Sequence, residues 1–249
     1  VKVEVAMLLT VDIGNTKISF GIFAKNRLVK KFDIATGQYS LKRLERNLGK
    51  LSVTAAITCS VVPDMNRIVR MDLRAHTGKK PIFVGQDIIV PIKNKYRFPK
   101  QVGQDRLVTA YAASKLYGYP ALVVDAGTAI TLDVISGKKA YLGGMIVPGL
   151  KMSLDALYKD TALLPYVQLS KPNNLIGTDT KSSILSGVVF GLSVLVEGMV
   201  NKLKAKFGAS AIVVGTGGSI HFLSRYCKIF THIDPDLTLK GLSLIYSKI

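Results

Sequence analysis

Two short stretches decide the fold: residues 8–23, LLTVDIGNTKISFGIF, and residues 121–136, ALVVDAGTAITLDVIS. In each, an apolar run ends in an aspartate, a glycine follows two residues later, and a second run alternates apolar and polar residues. The glycine allows a tight turn that brings backbone N–H groups near a ligand without a Cβ in the way. A single such turn fits a plain hairpin with an Asx turn equally well. Its repetition indicates an internal duplication that carries two phosphate-binding turns.

The order of the predicted elements supports this duplication. Each half begins with three strands joined by short links, which predicts an antiparallel meander, and continues with alternating helices and strands, which predicts a mixed sheet. The pattern restarts after Gly118-Tyr119-Pro120, so the predicted domains are 1–118 and 119–249. The predicted strands are 8–13, 17–25, 28–34, 55–62, 81–85, 121–126, 129–136, 138–146 and 211–217, the predicted helices are 39–50, 63–75, 105–116, 151–160, 181–207 and 219–226, and a final segment covers 238–247.

The composition is that of a globular protein with a substantial core, since 48% of the 249 residues are hydrophobic and 20% are charged. Two cysteines, Cys59 and Cys227, are too few for a disulfide framework, and no CxxC or HxxxH pair indicates a metal site. A reducing cytoplasm is the expected compartment. The apolar stretch 184–196 is short for a bilayer span and predicts a buried helix. Residues 1–6, which precede Met7, are interpreted as an upstream extension.

The chain is strongly basic, with 34 Lys and Arg against 16 Asp and Glu, a formal net charge of +18. Such a charge favours anionic partners, which include nucleic acid, acidic membrane surfaces and phosphorylated small molecules. The basic residues are spread along the chain, and no surface of interleaved basic and aromatic residues is evident. Charge alone therefore does not select among these partners.

A further candidate residue lies outside both turns, in FPKQVGQDRLVTAYAA at residues 98–113. Asp105 and Arg106 follow Gly103 at the start of a predicted helix. An aspartate there suits the helix dipole in a purely structural role. It is also well oriented to accept the proton of an attacking hydroxyl in phosphoryl transfer, while Asp12 suits a hydrated Mg²⁺ that neutralises phosphate oxygens.

Taken together, these motifs resemble those of a known family. The Asp-x-Gly turns are similar to those of the superfamily of acetate kinases, sugar kinases, Hsp70 and actin. The set DIGNT, VGQDR, DAGTA, GGMIVPG, DTKSSILSG and GTGG resembles the type III pantothenate kinases from residue 7 to about residue 247. The resemblance implies an α/β protein of two duplicated ribonuclease H-like (actin-like ATPase) domains, each a mixed sheet with an antiparallel meander flanked by helices. It also implies a cytoplasmic homodimer that uses ATP to phosphorylate pantothenate to 4′-phosphopantothenate, the first step of coenzyme A biosynthesis.

The resemblance assigns roles to individual residues. Asp105 is the expected general base, Asp12 a ligand of Mg²⁺, and Asp125 the ligand of a monovalent cation, K⁺ or NH₄⁺. Thr180 is expected to close the pantothenate site across a homodimer interface. The expected ATP-binding residues are Asp12, Ile13, Gly14, Asn15, Thr16, Lys17, Ile18, Ser19 and Thr128, and the expected pantothenate-binding residues are Tyr96, Gly103, Gln104, Asp105, Arg106 and Thr180.

Three positions, Gln104, Ala126 and Asp179, depart from the residues usual in the family. None removes a charged catalytic group, but Asp179 adds a negative charge near an anionic substrate. Two other functions stay open: a nucleic-acid-binding or nucleic-acid-cleaving protein of the ribonuclease H-like class, and a catalytically silent regulator on the same scaffold. For the kinase, neither nucleic acid nor a membrane is expected as a partner.

Overall fold

The computed structural model describes residues 6–249 and forms two compact units. Unit 1 comprises the described residues up to Lys115 together with Asp236–Ile249, and unit 2 comprises Leu116–Pro235. Residues 1–5 of the predicted upstream extension lie outside the described residues. The chain therefore enters unit 2 close to the predicted boundary between residues 118 and 119, but its C-terminal segment returns to unit 1.

Unit 1 is built on a five-stranded mixed sheet. Its strands are β1 (Met7–Ile13), β2 (Lys17–Ala24), β3 (Arg27–Ala35), β4 (Val53–Ser60) and β5 (Ile82–Phe83), and a short strand, β6 (Lys93–Asn94), follows them in the chain. The sheet order is β3-β2-β1-β4-β5, with β1 to β3 antiparallel and with β4 and β5 parallel to β1. Because side chains alternate along a strand, Val11 and Ile13 enter the hydrophobic core while Asp12 points to the opposite face.

Three helices follow the strands of unit 1: α1 (Leu41–Leu48), α2 (Pro63–Thr77) and α3 (Gln104–Leu116). The side chain of Ser40 accepts a hydrogen bond from Arg43 N–H and so begins α1, which shortens the predicted helix 39–50 at its start. Gly49, with φ of 64°, ends this helix at the predicted stop. Apolar residues of α1 and α2 pack on the sheet through Leu44 and Leu73.

Unit 2 repeats the strand arrangement of unit 1. Its strands are β7 (Ala121–Ala126), β8 (Ala129–Ile135), β9 (Ala140–Pro148), β10 (Ile212–Thr216) and β11 (His232–Ile233). They lie in the order β9-β8-β7-β10-β11, with an antiparallel meander of β7 to β9 and with β10 and β11 parallel to β7. This order matches β3-β2-β1-β4-β5, so the predicted duplication and the predicted α/β class with two mixed sheets are confirmed.

Unit 2 contains three helices: α4 (Leu150–Lys159), α5 (Thr180–Phe207) and α6 (Ile220–Leu223). α5 has 28 residues and is long and apolar enough to cross a membrane by length and composition. It packs within unit 2, where Val196 and Val200 join the core beneath β7 and β8 and Val188 and Val189 pack against α4. The predicted buried helix is therefore buried along one face only, and Gly187, Gly191 and Val194 on its other face are exposed.

The last helix, α7 (Leu237–Tyr246), corrects the predicted assignment of residues 119–249 to one domain. It covers the face of the first sheet that lies opposite α1 and α2. A Cβ built at Gly241 would lie 2.7 Å from Val108 Cγ1 of α3, and one built at Gly21 of β2 would lie 3.2 Å from Leu239 Cδ1. Leu242 of α7 is fully buried. Chain order alone placed the helix in the second domain, whereas the open apolar face of the first sheet decides its position.

Candidate active site

The turn between β1 and β2 has the form expected of a phosphate-binding turn. Gly14 N–H donates to the Lys17 carbonyl at 3.1 Å and closes the turn. Thr36, just after β3, secures it: its Oγ1 donates to the Gly14 carbonyl at 2.7 Å and its N–H donates to the Thr16 carbonyl at 3.0 Å. Asn15, Thr16 and Lys17 are exposed. The turn therefore presents its polar side chains to solvent, where an anionic ligand can reach them.

The other predicted ATP-binding residues beside this turn differ in what they offer a ligand. The side chains of Ile13 and Ile18 are fully buried in the hydrophobic core, so only their backbone groups are available. Ser19 lies opposite Asp12 across the β1–β2 pair. Lys17 Nζ pairs with Asp33 Oδ2 at 2.6 Å on the surface. An exposed pair of this kind is weak and can exchange Asp33 for a phosphate.

Asp105 occupies the first turn of α3. Its Oδ1 accepts a hydrogen bond from Arg106 N–H at 2.8 Å, and Thr109 Oγ1 donates to its backbone carbonyl at 3.0 Å. A Cβ built at Gly103 would collide with Asp105 Oδ1, so the glycine gives this carboxylate its place. The Asp105 carboxylate is half-buried and held in one orientation, as a proton acceptor requires.

Asp12 and Asp105 are brought together within unit 1, and each feels the charge of the other. Desolvation by burial, followed by the charge of Asp105, raises the pKa of Asp12 from 3.8 to about 7. A hydrogen bond from Cys59 and the charge of Lys17 oppose this rise. Two carboxylates in one half-buried place favour a cation between or beside them, because a cation removes their repulsion.

Cys59 is a site residue that sequence reasoning missed. It lies on β4 directly beside Asp12 of β1 in the parallel register, and its thiol donates to Asp12 Oδ1 at 3.3 Å. Burial, followed by the charges of Asp12 and Asp105, raises the pKa of Cys59 well above its usual value, so the thiol stays protonated. The sequence signal that could have identified Cys59 is the predicted buried strand 55–62, which follows the first meander. When this strand lies parallel to β1, its residues come beside Asp12.

The oxygen atoms at this site suit a Mg²⁺ ion that is bound together with nucleotide phosphates, and they are too few to hold a cation by protein ligands alone. Among residues 6–249 there is no group of three or more His, Cys, Asp or Glu side chains that could hold a metal ion. Mg²⁺ keeps several waters and is commonly bound through one or two carboxylates together with substrate phosphates. Asp12, Asp105 and the exposed turn after β1 supply that combination, since the carboxylates are hard oxygen donors and the turn offers N–H groups to phosphate.

The turn between β7 and β8 repeats the first turn in unit 2. Gly127 N–H donates to the Ala129 carbonyl at 3.0 Å, as Gly14 does in its own turn. Gly149 N–H, at the start of α4, donates to the Thr128 carbonyl at 3.1 Å. A Cβ at Gly149 would collide with that carbonyl, which explains the glycine of GGMIVPG. The Thr128 side chain is exposed and Asp125 is half-buried, so both are accessible to a ligand.

The GTGG segment after β10 supports Asp125. Gly217 has a φ of 92°, and a Cβ there would collide with Asp125 Oδ1 and would lie 2.7 Å from the Ala126 carbonyl carbon. Ser219 N–H donates to the Ala126 carbonyl at 2.8 Å. This close approach requires glycine at position 217, so the segment packs the end of β10 against the end of β7.

Four of the predicted pantothenate-binding residues besides Asp105 belong to unit 1. Tyr96 is half-buried, and its backbone N–H donates a hydrogen bond to Asn94 Oδ1 at 2.9 Å. The side chain of Gln104 packs over Gly85, where a Cβ would lie 2.6 Å from Gln104 Cδ. Arg106, beside Asp105, is half-buried. Gln104 therefore serves at least to hold the start of α3 on the loop after β5.

Asp179 and Thr180 lie at the start of α5 in unit 2. Asp179 is the N-cap: its Oδ1 accepts from Ser182 N–H at 3.1 Å, and its own N–H donates to Ser182 Oγ at 3.2 Å, which completes a capping box. Ser182 Oγ also donates to Asp179 Oδ2 at 2.6 Å. These bonds, the side-chain bond first, lower the pKa of Asp179. The negative charge that Asp179 adds near the predicted substrate site therefore also has a structural role, because it stabilises the positive end of the helix dipole at the start of α5. Thr180 is exposed at the first position of the helix.

Comparison with protein families identifies one match over most of the chain. The family described as Type III pantothenate kinase matches residues 8–202. A protein named type III pantothenate kinase from Agathobacter rectalis is 38% identical, with 97% of each chain covered. Another of that name from Rubrobacter xylanophilus is 39% identical, also with 97% of each chain covered. These relatives retain similarity over nearly their whole length.

Solved structures show the same fold at lower sequence identity. A conserved Baf family protein from Campylobacter jejuni is 22% identical, with a TM-score of 0.58 over 96% of this chain and 98% of that chain. Component A of (R)-2-hydroxyglutaryl-CoA dehydratase from Acidaminococcus fermentans is 15% identical, with a TM-score of 0.53 and 95% of each chain covered. The predicted actin-like ATPase fold is confirmed.

Proposed function

The chain belongs to the type III pantothenate kinase family, and from this premise we propose which of its residues carry out the reaction. The reaction is the ATP-dependent phosphorylation of pantothenate to 4′-phosphopantothenate, the first step of coenzyme A biosynthesis. ATP is the phosphoryl donor and an alcohol is the acceptor. What remains to be assigned is the base, the phosphate-binding residues, the cations and the assembly.

Asp105 is the general base of this proposal. Its carboxylate takes the proton of the primary hydroxyl of pantothenate as that oxygen attacks the γ-phosphorus of ATP, and ADP leaves. The observation that supports this role is its fixed, half-buried carboxylate at the start of α3, within electrostatic reach of Asp12. Phosphoryl transfer depends mainly on positioning and charge neutralisation, and an oriented aspartate meets the first need.

The β1–β2 turn binds the phosphates of ATP. The backbone and exposed side chains of Asn15, Thr16 and Lys17 donate to phosphate oxygens, with Lys17 released from Asp33. Asp12 is the carboxylate ligand of Mg²⁺. When bound, Mg²⁺ neutralises the phosphate oxygens and the charge that develops during transfer. Asp12 is matched to this task because its ionised form is destabilised beside Asp105 until a cation is present.

The remaining substrate contacts follow from the residues that surround these groups. In unit 1, Tyr96, Gly103, Gln104 and Arg106 bind pantothenate, with the Arg106 guanidinium beside Asp105 suited to an anionic group. In unit 2, Asp125 binds the monovalent cation, K⁺ or NH₄⁺, and Thr128 binds ATP phosphate, while Thr180 completes the pantothenate site. The support for Asp125 is its half-buried carboxylate, which is enclosed by Gly217 and the turn of Gly127.

A homodimer through the outer face of α5 is part of the proposal. Gly187, Gly191 and Val194 lie one turn apart on this helix and are exposed. Within residues 6–249, and apart from the helix's own backbone, no heavy atom lies within 4 Å of a Cβ built at either glycine. Packing against the sheet therefore does not account for the two glycines, whereas close packing against α5 of a partner protomer does. Other large apolar side chains of unit 2 are also exposed, namely Ile146, Met152, Leu163, Leu175 and Ile176.

The cytoplasm is the proposed compartment. Cys59 and Cys227 are both free thiols and are buried, as suits a reducing environment. Fractionation of cells that express a tagged chain tests this, and recovery of the protein outside the cytoplasm would contradict it.

One assay separates the kinase from the alternatives. ADP release is measured with and without pantothenate, and with Mg²⁺ and K⁺ present or withdrawn singly. The kinase releases ADP only with pantothenate, and needs both cations; a silent regulator releases none. A gel-shift titration with duplex DNA and single-stranded RNA at about 150 mM salt tests the nucleic-acid alternative, since attraction by charge alone fades steeply with salt.

A further inference from the structure

We propose that Cys59 is a positioning residue of the kinase, whose thiol holds one oxygen of Asp12 so that the other oxygen faces the metal and nucleotide. The inference rests on the proposed role of Asp12 as the ligand of Mg²⁺. It assigns a use to a buried thiol that the motifs of the site do not include, and it adds a residue of β4 to a site otherwise built on β1 and α3.

The geometry that supports this role is rigid. Asp12 and Cys59 are direct neighbours in the parallel register of β1, the central strand of the first sheet, and β4, which lies beside it. The Sγ–Oδ1 distance is 3.3 Å, which suits a hydrogen bond with sulfur as the donor. Cys59 has no exposed surface, so its thiol is confined to the space between the strand and the carboxylate. The hydrogen bond therefore selects one orientation of the Asp12 carboxylate.

At this position the Cys59 thiol acts as a hydrogen-bond donor to Asp12. A protonated thiol supplies one weak S–H donor. Because Cys59 is fully buried against the Asp12 carboxylate, the thiol proton is directed at Oδ1. Without the donor, repulsion from Asp105 is free to turn the Asp12 carboxylate away. Ligands of metal ions are commonly oriented by such outer hydrogen bonds, and loss of one weakens the metal site.

The test compares Cys59→Ala with Cys59→Ser, which differ only in the hydroxyl donor. Cys227→Ala, which removes the other buried cysteine in unit 2, is the matched control. Binding of Mn²⁺·ATP is followed by electron paramagnetic resonance of the manganese at one fixed pH, about pH 8.5, for every variant. KM values for Mg²⁺·ATP and for pantothenate are measured beside it. The spectrum and the dissociation constant report on the metal without turnover.

The expected result is specific to the donor. Cys59→Ala weakens Mn²⁺·ATP binding about three- to tenfold, the range for a weak hydrogen bond to a charged group, and Cys59→Ser restores it to within about twofold. The KM for pantothenate and the Cys227→Ala protein stay unchanged. Equal weakening in the Ala and Ser variants would mean that packing matters and the donor does not, and unchanged binding in both would likewise overturn the inference.

Asp12→Asn distinguishes failure of this inference from failure of the proposed function. If Asp12→Asn loses Mn²⁺·ATP binding while Cys59→Ala retains it, the role of Asp12 stands and the role of Cys59 falls. If Asp12→Asn binds Mn²⁺·ATP as the unmodified chain does, Asp12 is not the ligand, and the proposed function fails at that residue together with the inference that rests on it.

Discussion

The raised pKa of Asp12 predicts that Asp12→Asn makes the protein more stable while it removes activity. In the folded chain this pKa is about 7, against 3.8 for an ordinary aspartate, because the carboxylate is desolvated and faces Asp105. A raised pKa means that this group contributes stability below about pH 4, and that the contribution is lost as the pH rises to about 7. Asparagine does not titrate, so it avoids this loss.

The magnitude follows from linkage. A rise of about 3 pK units corresponds to about 4 kcal/mol at 1.36 kcal/mol per unit, and partial hydration of the carboxylate reduces this to about 2–4 kcal/mol. We therefore expect Asp12→Asn to gain stability over the unmodified chain as the pH rises. The difference between their free energies of unfolding should grow by about 2–4 kcal/mol between pH 4 and pH 8. Above pH 8 the difference should be constant.

The assay is urea unfolding at a series of pH values, in EDTA and without nucleotide, so that no cation masks the repulsion. Asp160→Asn, which makes the same substitution at an exposed position in unit 2, is the control variant. Addition of Mg²⁺·ATP should stabilise the unmodified chain but not Asp12→Asn. A stability difference that stays flat from pH 4 to pH 8.5 would refute the electrostatic reasoning, and kinase activity retained by Asp12→Asn would refute the assigned role.

Two further predictions concern unit 2. Asp179→Ala removes the N-cap of α5 and should lower the Tm by about 2–4 °C without changing the KM for pantothenate. Asp179→Asn, which can still cap, should keep the Tm, and a lower KM in both variants would show instead that the charge opposes the substrate. Gly217→Ala forces a side chain against Asp125 and Ala126 at a φ of 92°, so we expect the free energy of unfolding to fall by more than about 3 kcal/mol. Gly137→Ala is the control and should be close to neutral, because among the described residues no heavy atom lies within 4 Å of a Cβ built there. Equal Tm values for the two glycine variants would contradict the packing described for GTGG.

The antiparallel meander of both units could be predicted because their local signals agree. The apolar runs that end in Asp12 and Asp125, and the short links after them, left only an antiparallel meander as an economical arrangement. The helix stop at Gly49 and the start of α3 at Asp105 were visible for the same reason, since capping and turn residues act through their immediate neighbours.

Long-range packing could not be predicted from these signals. The position of α7 depends on the open face of the first sheet, which the order of elements does not reveal. The place of Cys59 beside Asp12 depends on the register of β4 against β1, and a shift by one residue would have turned the thiol to the other face. Asp179 was considered only for the negative charge that it adds near an anionic substrate, and its capping geometry at the start of α5 was not predicted.

The central claim is that Asp105 accepts the proton while Asp12 and the first turn bind the nucleotide. The most direct measurement is the single-turnover rate of pantothenate phosphorylation by Asp105→Asn, at saturating ATP, pantothenate, Mg²⁺ and K⁺, together with the affinity for Mg²⁺·ATP. We expect Asp105→Asn to lose at least about 100-fold in this rate, while its affinity for Mg²⁺·ATP stays within about threefold of that of the unmodified chain. A rate close to that of the unmodified chain would contradict it.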